Sequence, residues 1–260
     1  MPVPYSSRVS EADYKVRGAE GAREAVPALV TLDVWGVPLT RAPRALARMG
    51  LDRGGARRIP GVTFAKMLGT GSGRTFTTRD ADARHWAALI VWSDAGAAES
   101  FATSSVARGW HSICNEHARF TMRPLSSRGT WAGRQPFGDP IAHRWDGPIA
   151  AVTRARIRPS QWVDFWRSVP AVSGDLDHIE GVTFRLGIGE APVGLQGTFS
   201  VWPDNATLTD FAHRRSPHQQ AMQRTVDTGW YAEELFARFA LLSATGTYGD
   251  QPVSITGATS

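Results

Sequence analysis

The first half of the chain alternates apolar and polar positions in a way that predicts strands separated by helices. Apolar, β-prone runs lie at 30–34, 61–68, 86–92 and 119–125. A short arginine-rich helix is predicted over 42–49. Asp94 is the predicted N-cap of a second helix, because the apolar residues that follow it share one face at helical spacing: Ala97, Ala98, Phe101 and Ala102. Thr70-Gly-Ser-Gly73 predicts a turn, followed by a polar connection to Arg84.

The second half repeats the same order of elements. Strands are predicted over 149–157, 182–188, 197–202 and 240–247. Ser160 is the predicted N-cap of a helix through Val163, Phe165 and Trp166, and Asp204 that of the next helix. Each half therefore has the βαββαβ order of a ferredoxin-like α+β unit. Two such sheets can pack face to face and close into a barrel-like pair, and a cavity between sheet and helices is the expected ligand site.

Six short strings of the first half recur in the same order in the second. They are Gly61-Val-Thr-Phe64 and Gly181-Val-Thr-Phe184, Val91-Trp-Ser-Asp94 and Val201-Trp-Pro-Asp204, Phe101-Ala102 and Phe211-Ala212, Gly109-Trp110 and Gly229-Trp230, Ala118-Arg-Phe120 and Ala237-Arg-Phe239, and Gly129-Thr-Trp131 and Gly246-Thr-Tyr248. The repeat predicts two tandem units. We expect units at 28–131 and 148–250, a Gly- and Pro-rich linker at 132–147, and tails at 1–27 and 251–260.

The two copies differ by an insertion that contains histidines. Gly109 follows Ala102 by seven positions, whereas Gly229 follows Ala212 by 17, and His213 and His218 lie in the longer stretch. Ser216-Pro217 is a helix start signal. His218 then shares an inward face with the apolar members of that helix, Ala221, Met222 and Val226. The helix dipole keeps a first-turn imidazole neutral, which is the form that binds a metal. A buried histidine bonded to a carbonyl is the alternative.

Other candidate ligands have weaker support. Cys114 and His117 share a predicted helical face with Val106, Trp110 and Ile113, but a lone buried cysteine usually packs as a small apolar residue. The repeat places His117 opposite Phe236, a packing position. His213 is expected at a rim or in solvent. Glu233-Glu234 is predicted to lie on a solvated helix face, with i,i+4 pairing near Tyr231 and Arg238.

Composition limits the function classes. The chain has 260 residues, 42% of them hydrophobic, a formal net charge of +5 and a pI near 10.0. The arginines are scattered, which disfavours nucleic acid and suits carboxylates on a small ligand. Ten tryptophans suit a bulky planar ligand, although core packing explains most of them. A single cysteine, no visible secretory signal and no membrane-spanning run predict a cytoplasmic protein.

Several longer strings resemble the acyclic carotenoid ketolases called spheroidene monooxygenases. They are Gly61-Val-Thr-Phe-Ala-Lys66 with Gly69-Thr-Gly-Ser-Gly73, Thr153-Arg-Ala-Arg-Ile-Arg-Pro-Ser160, Phe199-Ser-Val-Trp-Pro-Asp204 and Gly229-Trp-Tyr-Ala-Glu-Glu-Leu-Phe-Ala-Arg-Phe239. The similarity extends over residues 28–250. It implies a fold of the dimeric α+β barrel type, one b-type haem, dioxygen and an electron donor.

The resemblance also implies roles for individual residues. His218 is the expected haem-iron ligand, with His213 and then His117 as alternatives, and Arg185, Arg214 and Arg215 are expected at the haem propionates. The expected substrate is a hydrophobic small molecule, and a carotenoid would place the protein at a membrane surface. Two alternatives stay open: a haem dehydratase, in which the substrate binds iron directly, and a cofactor-free binding module or monooxygenase of the same fold.

Overall fold

The computed structural model describes residues 25–71, 81–141, 144–157, 181–190, 197–213, 231–253 and 255–256. Its strands are β1 Leu29–Gly36, β2 Val62–Gly71, β3 Ala81–Trp92, β4 Glu116–Gly129, β5 Ile149–Ile157, β6 Phe184–Gly189, β7 Gly197–Trp202, β8 Tyr231–Tyr248, β9 Gln251–Pro252 and β10 Ile255–Thr256. Its helices are α1 Ala42–Arg57, α2 Ala95–Ser100, α3 Ser105–His111 and α4 Asn205–His213. We call β1–β4 with α1–α3 the first half, and β5–β8 with α4 the second half.

Most predicted elements are present, and several are longer than predicted. The strands at 149–157 and 197–202 have the predicted bounds, whereas the first helix continues past Met49 to Arg57. The turn predicted at 70–73 is wrong at its start, because β2 continues to Gly71. Likewise β3 begins at Ala81, inside the predicted polar connection. The helix predicted from Ser160 lies outside the described residues.

The eight long strands form one closed antiparallel barrel. Their order is β8-β4-β1-β3-β2-β6-β7-β5, and β5 pairs with β8 to close the ring. Each half contributes a ferredoxin-like sheet, and the halves join at two antiparallel seams, β2–β6 and β4–β8. The sheets therefore meet edge to edge instead of packing as two separate sandwich layers. Closure pairs the long edges of both sheets within a single chain.

Two glycines mark the approximate two-fold symmetry of the β4–β8 seam. Gly129 has φ +91° and Gly246 has φ +95°. A Cβ on Gly129 would collide with the carbonyl oxygen of Glu234, and a Cβ on Gly246 with that of His117. Both positions therefore require glycine for backbone conformation and for close approach.

The same seam corrects one match between the copies. In the seam Ala118 pairs with Gly246, and Gly129 pairs with Leu235. Gly129 and Gly246 are 117 residues apart, and so are Ala118 and Leu235, so equivalent positions of β4 and β8 differ by 117. The string match of 118–120 with 237–239 has a separation of 119, so it is wrong by two residues. A shift of two keeps every side chain on its own face, so the hydrophobic pattern could not detect it. The structural counterpart of His117 is Glu234, not Phe236.

Alternate residues of each strand face the barrel interior or the helices. In β1, Val30, Leu32 and Val34 belong to the interior core, whose members come from both halves. Trp35 belongs to a second core between the first sheet and its helices, and Ile149 and Trp202 to a smaller one beside Leu208 of α4. The barrel interior is therefore a packed core shared by both halves. The two halves differ in the layer between each sheet and its helices, outside the barrel.

Two helices, α2 and α4, begin where the sequence predicts. Asp94 Oδ1 accepts a hydrogen bond from the Ala97 amide at 2.7 Å, and Asp204 Oδ1 accepts one from the Thr207 amide at 2.7 Å. Both predicted N-caps are confirmed. These caps fix the angle at which each helix leaves its preceding strand, at equivalent places in the two halves.

Candidate active site

The outer face of the second sheet carries two arginines in one row. The row runs across four strands through Arg185, Ser200, Ala151 and Arg238. The equivalent row of the first sheet is Ala65, Ile90, Thr31 and Thr121. Two guanidinium groups thus bracket two small side chains in the second half only. Four adjacent strands place the two arginine backbones about 14 Å apart.

Three outer positions of the second sheet carry smaller side chains than their counterparts in the first. Strand register makes Gly187 the counterpart of Met67, and Ser200 the counterpart of Ile90. The same register makes Ala155 the counterpart of Trp35, since Ile149 and Leu29 both pair with the terminal tryptophan of the next strand. At these three positions the second sheet therefore has small side chains where the first has large apolar ones.

In the first half the corresponding layer is filled by indole rings. Trp35 stacks on Trp110 with ring centroids 5.1 Å apart, and Trp86 lies 6.3 Å from Trp110. All three belong to the core between the first sheet and its helices. For these tryptophans the core-packing interpretation is confirmed. A planar ligand of similar breadth has no room in this layer of the first half.

Arg238 is a site candidate that the sequence interpretation missed. Its Nη1 donates a hydrogen bond to Asn205 Oδ1 of α4 at 3.2 Å, so it lies at the boundary between sheet and helix. Arg185, which was predicted, lies half-buried in the same row. In the corrected seam register Arg238 is the counterpart of Thr121, and that difference is the signal that could have identified it.

The helical face predicted for Cys114 and His117 is wrong, because α3 ends at His111 and His117 lies on β4. His117 Nε2 is 2.9 Å from Oδ1 of the buried Asp33. Burial raises the pKa of the Cys114 thiol, which opposes the thiolate form. Within the described ranges, no three His, Cys, Asp or Glu side chains are grouped to hold a metal ion.

The remaining predicted ligands have the following places. His213 is the last residue of α4. His218, Arg214 and Arg215 lie outside the described residues. The structure therefore describes one of the predicted propionate-binding arginines, Arg185, and shows the sheet face on which it lies.

One end of the barrel interior contains a cluster of buried charges. Arg154 donates hydrogen bonds to Glu233 and Glu190, each at 2.7 Å, and Lys66 donates one to Glu190 at 2.5 Å. Trp131 Nε1 also donates to Glu190 at 2.7 Å. The prediction of Glu233 on a solvated helix is wrong, since it lies on β8 with its side chain 6% exposed.

This cluster keeps its carboxylates ionised. Burial raises the pKa of Glu233, but hydrogen bonds from the Gly133 amide and Arg154 outweigh it, so the pKa is lowered. Burial also raises the pKa of Glu190, but hydrogen bonds from Lys66 and Trp131 outweigh it, so this pKa is lowered as well. Two cations and two anions therefore neutralise one another. This balance indicates that the cluster closes one end of the barrel and is not a reactive site.

A second polar cluster links the first half to the end of β8. His85 lies between two carboxylates, with Nδ1 2.5 Å from Asp82 and Nε2 2.8 Å from Glu116. Its ring centroid is 4.5 Å from that of Tyr248, and Glu116 also accepts a hydrogen bond from the Asp250 amide. Burial, then the charges of Asp82 and Glu116, raise the pKa of Tyr248 to about 12, so the phenol stays protonated.

We expect this His85 cluster to make stability depend on pH. Burial lowers the pKa of His85, but hydrogen bonds to both carboxylates outweigh it and raise the pKa. The contribution is therefore complete below the unfolded pKa of about 6.5 and is lost as pH rises through the higher folded value. Urea unfolding should show wild type losing stability relative to His85→Gln as pH rises from neutral. A constant difference between the two proteins would contradict this assignment.

No family model matches the chain. Spheroidene monooxygenase of Rhodobacter capsulatus is 36% identical over 216 residues, which cover 82% of this chain and 89% of that protein. The proteins of the same name from Cereibacter sphaeroides and Rubrivivax gelatinosus are 34% and 36% identical, over 80% and 73% of this chain and 65% and 72% of their own lengths.

This chain belongs to the spheroidene monooxygenase family. The predicted family is thereby confirmed, and with it the assignment as an oxygenase-type oxidoreductase. The named relatives also support a small-molecule substrate. Within the described ranges, no helix of this spheroidene monooxygenase family member has the length and apolar character needed to cross a bilayer.

Two solved structures resemble this family member distantly. An aldoxime dehydratase solved with butyraldoxime is 11% identical, with a TM-score of 0.47 over 82% of this chain and 79% of that one. An anthrone oxidase-like protein is 9% identical, with a TM-score of 0.32 over 90% of this chain and 99% of that one.

Proposed function

We propose that this protein is a haem-dependent oxygenase whose haem lies against the outer face of the second sheet. The observation that carries the proposal is the small size of two outer residues there: Gly187 and Ala155 stand where the first half has Met67 and Trp35. A flat macrocycle needs a broad surface without protruding side chains. In the first half the indole rings already fill the corresponding space.

The arginines of the same face match the acidic edge of a haem. Arg185 and Arg238 lie at the two ends of one row, separated by Ser200 and Ala151. A guanidinium group binds a carboxylate through paired hydrogen bonds, so these residues are suited to the propionates. Arg214 and Arg215, which follow α4 in the sequence, remain proposed propionate partners as well.

We assign the iron ligand to His218. It follows Ser216-Pro217, which the sequence predicts as a helix start, in the segment that joins α4 to β8, two elements that border the proposed haem face. A neutral imidazole is the form that ligates iron. When bound, the haem supplies an iron centre that activates dioxygen with electrons from a donor protein. The chain's own residues hold it, orient the substrate and exclude water.

The proposed substrate is a hydrophobic small molecule of carotenoid-like character. The relatives are named for spheroidene oxidation, and identity of 34–36% over most of the chain supports related chemistry. Turnover that needs both dioxygen and a reductant would support the oxygenase. Turnover that needs neither would assign a dehydratase instead.

The deciding experiment is a visible spectrum of the full-length protein titrated with haemin. Wild type should give a sharp Soret band that saturates at one haem per chain, and His218→Ala should weaken or shift it. His117→Ala is the matched control, because His117 lies in the first half and bonds Asp33. His213→Ala tests the next candidate. No stoichiometric binding by wild type would refute haem dependence, and an unchanged His218→Ala spectrum would refute the ligand.

A further inference from the structure

The outer surface of α1 combines exposed leucines with arginines. Among the described residues, five large hydrophobic side chains are exposed, and Leu39, Leu46 and Leu51 are three of them. Leu51 is 78% exposed. We call this region, formed by α1 and the turn before it, the arginine–leucine surface. Its exposed members include Leu39, Arg41, Arg44, Leu46, Leu51, Arg53, Arg57 and Arg58.

The charge of this surface is strongly one-sided. Residues 39–58 contain six arginines and one acidic residue, Asp52, which pairs with Arg48 at 3.1 Å. The segment therefore has a net charge of +5, as large as that of the whole chain. Elsewhere basic and acidic residues balance. The net positive charge of the chain thus arises in this segment.

The other face of α1 is already used by the fold. Ala45, Met49 and Ala56 are buried in the core between the first sheet and its helices. Packing of that face against β2 fixes the helix in place and directs the leucines away from the core. The exposed leucines therefore do not contribute to packing of the barrel.

We infer that the arginine–leucine surface docks on an anionic lipid bilayer. Arginines near such a surface are attracted by the lipid phosphates, and leucines insert at the boundary between headgroups and acyl chains. Arg44 and Arg57 supply the charge, while Leu46 and Leu51 supply the apolar contact. A bilayer therefore offers phosphates to the arginines and apolar surroundings to the leucines in a single contact.

The arrangement of the leucines favours a bilayer over other acidic partners. Leu46 and Leu51 are five residues apart and so point about 140° apart around the helix, with the small residues Ala47 and Gly50 between them. One pocket of a protein partner cannot receive both, whereas a fluid acyl layer accepts each separately. Nucleic acid would neutralise the arginines but would leave the leucines in water.

Docking of this kind brings the enzyme to a substrate dissolved in lipid. In that respect the inference rests on the proposed function, since a carotenoid-like substrate resides in membranes. Binding to vesicles is nevertheless measured without haem-dependent turnover. Failure to dock and failure to bind haem are therefore separate results.

The test is co-sedimentation of the full-length protein with vesicles of phosphatidylcholine, alone or mixed equally with phosphatidylglycerol. Wild type should sediment with the mixed vesicles and release at high salt. Arg44→Gln with Arg57→Gln should weaken binding about 30-fold, and Leu46→Ser with Leu51→Ser about tenfold. The matched controls are Ile141→Ser, at a site 88% exposed, and Arg144→Gln in the linker, and both should bind as wild type does.

Four results would overturn the inference. Wild type that stays in solution with anionic vesicles has no such surface. Equal loss in the Ile141 and Arg144 controls would show general adhesion of a basic protein. Leucine variants that bind vesicles as wild type does, or a preference for RNA lost with the same two arginines, would assign the surface to charge alone. Thermal unfolding of each variant confirms that the fold is intact.

Discussion

Replacing Ala155 by tryptophan and Gly187 by methionine should abolish stoichiometric haem binding. These substitutions rebuild on the second sheet the side chains that fill the equivalent layer of the first, Trp35 and Met67. A rigid indole on the sheet face would overlap the space that we assign to the macrocycle. The loss of affinity should exceed about 100-fold, because the new indole and methionine side chains would occupy the surface that the macrocycle needs. Haemin titration followed at the Soret band measures it.

Controls separate blockage of the haem site from damage to the fold. Thr245→Trp places an indole at an exposed position of β8 on the side of the first half, and haem binding should be unchanged. Circular dichroism and thermal unfolding show whether Ala155→Trp with Gly187→Met retains the barrel, and Ala155→Phe alone is a milder version. A folded variant with a wild-type spectrum at one haem per chain would exclude this face as the haem site.

The second large effect is expected at the buried charge cluster. Arg154→Met should lower the free energy of unfolding by about 3–5 kcal/mol, because it leaves Glu233 and Glu190 without their shared cation inside the barrel. The side chain of Arg154 is only 4% exposed, so water cannot replace it. For a chain of this size the melting temperature should fall by roughly 6–20 °C. Urea unfolding and calorimetry measure both quantities.

Arg156 provides the matched control. It lies two residues further along β5, 3.9 Å from the same Glu233 carboxylate, but its side chain is 55% exposed. Arg156→Met should cost less than about 1 kcal/mol, as is usual for exposed ion pairs. The double variant Arg154→Met with Glu233→Gln should recover part of the loss. Equal costs at 154 and 156 would mean that burial does not set the strength of this cluster.

The alternation of apolar residues was sufficient to predict the fold class. Strands such as Gly197–Trp202, and the caps at Asp94 and Asp204, follow from local patterns that tertiary packing did not override. The order of elements then restricted each half to a ferredoxin-like sheet. How the two sheets join was not encoded locally, since the seams pair residues more than one hundred positions apart.

The errors at the candidate site have two physical causes. Leu235 and Phe239 are four residues apart, a separation that fits one face of a helix as well as one face of a strand, so Glu233 was placed on a helix when it faces the barrel interior. The same ambiguity affected His117. Arg238 was missed because the matched tripeptide was displaced by two residues, which preserves the pattern of faces.

The closed ring of strands also has a consequence for how the two sheets can change. If two identical chains paired along these seams, every substitution would occur at both symmetry-related positions. A side chain that fills the space outside one sheet would then fill the same space outside the other. Covalent fusion removes that restriction. Trp35 and Ala155, or Thr121 and Arg238, are symmetry mates that mutate independently. One sheet can therefore remain a rigid scaffold while its twin gives up packing bulk for chemistry.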